Sequence, residues 1–280
     1  MATETEAVQV EVVRPEGLMV VTLNRERKRN ALNDAMYKRL TALLRQADRT
    51  ADIHAVVLTG RGTHFCAGQD LTAVDPVQRA QSRSRDLPVG HFMDALIQFQ
   101  KLLVAAVNGP AIGIGATLLA HCDLVIAHPS ASVSTPFAAL GVVPELGSSY
   151  TFPRRLGIEA STRLLLLGET LSAQECYQRG LYSHVLEPVD NDTAPPQASN
   201  QAATDVLNAT LALLRRGAAR DAHQGGSWLL YRAMLLPPAE RAHRARAVAT
   251  ELDHIDKRFR TGDMQAILHR LQARLLPSKL

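Results

Sequence analysis

The chain has 280 residues, 46% of them hydrophobic and only 4% aromatic, with a formal net charge of +4. That length supports a sizeable core, in one large domain or a domain plus an appendage, built mostly from Ala, Val, Leu and Ile. The mild basic excess has no long basic run or aromatic-interleaved stripe. It argues against a nucleic-acid partner and suits a phosphorylated small molecule.

In chain order, the N-terminal "MATETEAVQV" is acidic and lacks the apolar stretch of a secretory signal. "VQVEVV" and "LMVVTLN" flank "RPEG" and predict two paired strands with a turn between them. Asn33 is a helix N-cap candidate, followed by Met36, Leu40, Leu43, Leu44 and Ala47 at helical spacing. "AVVLTG" predicts a short buried strand, and "RGTHFCAGQD" a loop. Residues 72–90 are polar and predict a mobile surface excursion. "LLVAAVNG" and "DLVIA" predict two further buried strands, with "AIGIGATLLA" between them running from a glycine turn into an apolar helix. This alternation of strands and helices indicates an α/β fold. Ser172 and Glu175 have capping-box spacing with Gly180 as the stop. The Pro- and Asp-rich "EPVDNDTAPPQASNQ" then breaks the pattern, and Leu207, Leu211 and Leu214 mark a helical face after it. The expected organisation is a core at 1–190 and a helical C-terminal region at 191–280.

Cys66, Cys122 and Cys176 are too few and too widely spaced for a disulfide framework or a metal knuckle, which points to a reducing compartment. No apolar run approaches the ~20 residues that span a bilayer. The chain ends in Ser278-Lys279-Leu280, the tripeptide address read by the peroxisomal import receptor.

Two segments carry candidate chemistry. "FCAGQDL" and "GPAIGIGATLLA" each lead from a buried strand through small residues to a polar or helical start. Small residues let a ligand approach the backbone, and unpaired N–H groups at such a start can converge on developing negative charge. Either segment alone also reads as a tight packed turn. Glu145, in "GVVPELGSSY", has no Lys or Arg within eight positions. Local sequence leaves it as a solvated turn residue or as a base beside a reacting carbon. His121, Cys122 and Asp123 are adjacent but project in different directions, so they do not form a metal site.

The order "NRERKRNALN", "FCAGQDL", "AAVNGPAIGIGATLLA", "CDLVIA" and "TPFAALGVVPELGSSYTFP" resembles the crotonase superfamily, also called the enoyl-CoA hydratase/isomerase family. The resemblance runs from about residue 8 to about residue 190. It implies a spiral of ββα units with a helical C-terminal part, a homotrimer or hexamer, and an acyl-CoA thioester substrate. Coenzyme A is then part of the substrate, and no further cofactor or metal is expected. The oxyanion donors it implies are the backbone N–H groups of Gln69 and Ile114. Ile114 stands where glycine is commoner, so its side chain is expected to narrow the acyl pocket. Substrate contacts are implied at Arg29, Ala31, Ala67, Gly68, Asp70, Leu71, Pro110, Gly113, Thr117, Phe137 and Pro144.

The family's hydratases carry two glutamates at the positions of Thr117 and Phe137, and both are missing here. Glu145 matches the single glutamate of the family's Δ3,Δ2-enoyl-CoA isomerases, closest to their peroxisomal branch. The resemblance therefore implies double-bond isomerisation in fatty-acid β-oxidation, with Glu145 as the proton carrier. The competing readings are a hydratase-type enzyme using Asp70 or Asp123, and a non-catalytic CoA-binding module.

Overall fold

The computed structural model describes residues 8–13, 16–187, 198–221, 223, 226–262 and 264–269. The expected domain boundary near residue 190 and the terminal Ser278-Lys279-Leu280 lie outside these described residues. β1 (Val8–Val13) and β2 (Leu18–Leu23) pair antiparallel, and α1 (Asp34–Arg49) follows. Next come β3 (Ala55–Gly60), α2 (Pro76–Gln81), α3 (Pro88–Gln98), β4 (Leu102–Val107), β5 (Ala111–Ile112) and the short α4 (Ile114–Thr117). β6 (Leu124–Ala127), β7 (Ser132–Ser134), α5 (Ser148–Leu165), β8 (Thr170–Ser172), α6 (Ala173–Gln178) and β9 (His184–Val185) complete the sheets. Helices α7 (Ala198–Arg220), α8 (Ser227–Leu235) and α9 (Pro238–Arg260) follow, and residues 264–269 are helical as well.

A six-stranded sheet runs β1-β2-β3-β4-β6-β9, parallel from β2 onward. A second layer holds β5-β7-β8 and is extended by the bridges Leu32–Gln69 and Cys66–Ala111. Successive turns of the chain thus give a strand to the large sheet, a short stretch to the second layer and then helix, as in β4-β5-α4 and β6-β7-α5. This is the spiral of ββα units that the resemblance implies.

The large sheet is covered on both sides, which explains why its strands read as unbroken apolar runs. Side chains alternate between faces. Met19, Val21, Val56, Leu58, Leu103, Ala105 and Val125 join the main core with α1, α3, α5 and α9. Leu18, Val20, Ala55, Val57, Val104, Ala106 and Ile126 face the other way, onto Val206, Leu211 and Leu214 of α7. Local signals also hold: Asn33 accepts the Met36 N–H at 3.0 Å, and Ser172 and Glu175 form a capping box.

Residues 72–90 depart from expectation. They form α2, capped by Asp75, then a single turn at Ser84–Asp86 and the start of α3. Their polar sequence hides a remote partner: Asp256 of α9 accepts the Ser84 N–H with both oxygens and pairs with Arg79 at 3.2 Å. The segment is a wall held by the C-terminal helix.

Candidate active site

The two glycine turns meet. Gly68 has φ +89, and a methyl group there would stand 2.8 Å from the Ile112 carbonyl oxygen and 3.7 Å from Gly113 Cα. Gly113 has φ +56, and a methyl group there would lie 3.8 Å from Gly68 Cα and 3.9 Å from Glu145 Oε1. Glycine at both positions allows the left-handed backbone and the close approach. The third segment thus delivers the Glu145 carboxyl to the junction of the first two.

The backbone around this junction leaves two N–H groups unclaimed. Leu32 N–H donates to Gly68 O at 2.7 Å and Asp70 N–H to Leu32 O at 2.8 Å. The intervening Gln69 N–H therefore points the opposite way. Gly113 N–H donates to Ser134 O at 3.0 Å, and Ile114, the first residue of α4, follows it. A first helical residue has no partner within its helix. Among the described residues, no backbone carbonyl takes the Gln69 or Ile114 N–H.

"NRERKRNALN" supports the first turn from below. Ala67 N–H donates to Arg29 O at 2.9 Å, and Arg25 reaches both Ala31 O at 3.1 Å and Asp70 Oδ2 at 2.6 Å. Buried Asn30 donates to the carbonyls of Arg61 and His64. Pro110 O accepts from Phe65 and Cys66, tying the second turn to the first. The Gln69 side chain is anchored by the Tyr37 hydroxyl at 2.8 Å.

A cavity of about 660 Å³ opens beside the junction. Ala67, Gly68, Gln69, Leu71, Gly113, Phe137 and Glu145 line it. Arg29, Ala31, Asp70, Pro110, Ile114, Thr117 and Pro144 are not among the lining residues, and Arg29 is exposed. Two expectations need correction. The Ile114 side chain is fully buried in the core, so it does not narrow the cavity. Asp70 is taken up by Arg25 and by the Thr72 N–H and hydroxyl, capping the turn that follows. Asp123 is likewise engaged, with Arg232 at 2.6 Å and the Leu103 N–H at 2.7 Å. Thr117 is buried and donates to Ile114 O at 3.4 Å.

Leu252, Ile255 and Phe259 of α9 complete the apolar wall with Leu87, Val89 and Met93. The sequence reading missed them, although Val248, Leu252, Ile255 and Phe259 follow a helical stripe that pattern counting can find. Tyr37 and Asn30 carried no local signal of their own.

Glu145 is open to the cavity on one side and enclosed by protein on the others, so burial dominates its titration. Burial first, and then the charge of Glu251, push its carboxyl up to about 7. No hydrogen-bond donor among the described residues holds its side chain. Cys66, beside it, is pushed up to about 12 by burial, so its thiol stays protonated and unreactive. His121 is pushed down to about 3, chiefly by burial, and is neutral. Among the described residues no cluster of three or more His, Cys, Asp or Glu is placed to hold a metal ion.

The family model described as enoyl-CoA hydratase/isomerase matches residues 13–195. The chain belongs to the enoyl-CoA hydratase/isomerase family. Similar members include enoyl-CoA delta isomerase 2 of Rattus norvegicus, 39% identical over 173 residues, which are 60% of this chain and 44% of that protein. Enoyl-CoA delta isomerase 3, peroxisomal, of Mus musculus is 34% identical over 184 residues, 64% of this chain and 57% of that protein. This chain thus spans about half the length of these two relatives. Among solved structures, Pseudomonas aeruginosa OdaA superposes with a TM-score of 0.81 at 34% identity, covering 95% of this chain and 98% of that one. Within this enoyl-CoA hydratase/isomerase family member, no helix of the described residues is long and apolar enough to cross a membrane.

Proposed function

We propose that this protein is a Δ3,Δ2-enoyl-CoA isomerase in which Glu145 carries the proton. The observation that bears most weight is the Glu145 carboxyl at the junction of the Gly68 and Gly113 turns, whereas Asp34 and Asp75, which also line the cavity, stand at the starts of α1 and α2. In this reading the thioester oxygen sits against the N–H groups of Gln69 and Ile114. Those donors stabilise the charge that develops there when a C2 proton leaves. Ionised Glu145 takes that proton, the electron pair delocalises into the thioester and the C3–C4 double bond, and the carboxyl returns the proton to C4. The double bond is then C2–C3, and the base is regenerated.

A carboxyl poised near pH 7 suits both halves of this cycle, since it must accept and then release one proton. Water addition asks for a group that activates water as well, and the hydratase positions hold Thr117 and Phe137. Asp70 and Asp123, the alternative carboxylates, are engaged by arginines. The reaction moves one proton within one substrate and changes no oxidation state. It requires no cofactor beyond the coenzyme A that the substrate carries.

The reading extends to fatty-acid β-oxidation in the peroxisome, supported by likeness to a peroxisomal isomerase. It extends also to a homotrimer or hexamer. Support comes from the exposed apolar residues Leu229, Leu230, Tyr231, Met234 and Leu235 on α8 and Ile158, Leu166 and Leu167 on or just past α5. The test is purified protein with a 3-enoyl-CoA, following the conjugated 2-enoyl product. Turnover is expected, and Glu145→Gln is expected to lower kcat by roughly 10²–10⁴-fold. Undiminished turnover in that variant overturns the mechanism.

A further inference from the structure

The turn that carries Glu145 is strained and is held from outside. Leu146 has φ +54 although it is a buried, branched residue, and Gly147 follows at φ +68. A non-glycine residue in this region costs about 1–2 kcal/mol, so its surroundings must impose it. Two buried side chains do so. His121 Nε2 donates to Leu146 O at 2.7 Å. Glu251 of α9 accepts the Gly147 N–H at 2.6 Å and the Ser149 N–H at 2.9 Å, and the Ser149 hydroxyl at 2.5 Å.

Gly147 has no side chain with which to cap α5. Glu251, 104 positions away in sequence and 4% exposed, takes over that task for the first N–H groups of the helix. All three of its partners are donors, which matches an ionised carboxylate, an acceptor at both oxygens. A carboxylate at a helix N-terminus is also favoured by the helix dipole. Burying an acid on a mid-helix position is nevertheless expensive, and satisfying α5 alone asks only for a neutral acceptor.

On this basis, and resting on the role of Glu145 as base, we propose that Glu251 is a positioning residue that fixes the aim of Glu145 and sets the charge it faces. Glu251 acts through the Leu146–Gly147 turn and does not line the cavity. Tyr37 of α1 and Cys66, near Glu145, are both kept neutral chiefly by burial, and His121 beneath Leu146 is neutral as well. Asp34, Lys38, Asp75 and Arg79 line the same cavity, Asp75 capping α2 and Arg79 paired with Asp256. Arg244, whose backbone lies near Gly147, is paired with Glu240. Of these charges it is Glu251 that, after burial, pushes the Glu145 carboxyl up, while burial raises the Glu251 carboxyl as well against the pull of its three donors.

The experiment compares pH–rate profiles of the full chain with those of Glu251→Gln, Glu251→Ala and, as a stability control on the far face of the sheet, Leu211→Ala. Thermal unfolding of each is measured alongside. Glu251→Gln keeps volume and one acceptor but removes the charge. Its kcat is expected to fall by roughly 10- to 100-fold with little change in KM, because the base is mis-aimed rather than the substrate lost. The acidic limb of its profile is expected to move to lower pH, since a like charge has been removed from the neighbourhood of Glu145. Leu211→Ala is expected to lose stability while keeping both kcat and the limb.

An unmoved limb, with kcat following stability as in Leu211→Ala, overturns the proposal while leaving Glu145 as base. Undiminished turnover in Glu145→Gln removes the base itself, and this proposal with it. Should Glu251→Ala fail to fold, the near-isosteric Glu251→Gln still decides the matter.

Discussion

Asp256 grips Ser84 across 172 positions of sequence, taking its backbone N–H with both carboxylate oxygens at 3.0 and 3.1 Å and its hydroxyl as well. Arg79 completes the cluster, paired with Asp256 and stacked over the Phe259 ring at 4.4 Å from its centre. The cluster joins α9 to the polar segment that walls the cavity. It neutralises a guanidinium that would otherwise face the apolar lining of the cavity without a counter-charge.

Asp256→Ala should therefore act on substrate length. It leaves Arg79 without its counter-charge and frees the Ser84 turn, at a cost of about 3 kcal/mol in stability. In steady-state assays KM should rise more for long enoyl chains than for short ones, because only long chains depend on the wall formed by Leu87, Val89 and Ile255. An equal change across a chain-length series would refute this assignment of the wall.

Glu145 makes stability depend on pH in a specified direction. Its folded-state value of about 7 lies above the ordinary 4.5, so the folded protein holds this proton more tightly than the unfolded chain. The favourable contribution is complete below the ordinary value and is lost as pH rises through about 7. Glu145→Gln is neutral throughout and escapes that loss. Its melting temperature relative to wild type should climb between about pH 5 and about pH 8, equivalent to on the order of 2 kcal/mol after discounting for the open side of the carboxyl. A constant difference across that range would show that Glu145 titrates as an ordinary exposed acid.

Two glycines separate strain from function. Gly68 and Gly168 both have left-handed φ, +89 and +67, but only a methyl on Gly68 meets backbone, whereas nothing lies within 4 Å of one on Gly168. Substitution by Ala should cost each about 1–2 kcal/mol from conformation. Gly68→Ala should also spread the two turns and lower kcat/KM by roughly 100-fold. Gly168→Ala should leave kcat/KM alone. Equal kinetic effects in the two variants would mean that the junction does not shape the site.

Much of the fold is carried by short-range pattern. The buried strands, the Asn33 cap, the Ser172–Glu175 box and the two glycine turns each depend on residues within a few positions, and each is found where the pattern puts it. The segments that meet at the cavity were legible for the same reason, since close backbone approach demands small residues in fixed order. The segment at 72–90 was misread because what orders it is Asp256, a residue no local window contains.

Alone, then, the linear order of residues decided which strands are buried, where helices start and which three segments are candidates for the site, because those follow from side-chain size, alternation and backbone freedom over a few residues. Only the folded chain decided that Glu145 is a carboxyl with its proton near neutrality rather than a solvated turn acid. That property comes from burial against the surrounding protein and from Glu251 on a distant helix, and both arise only when the chain has packed.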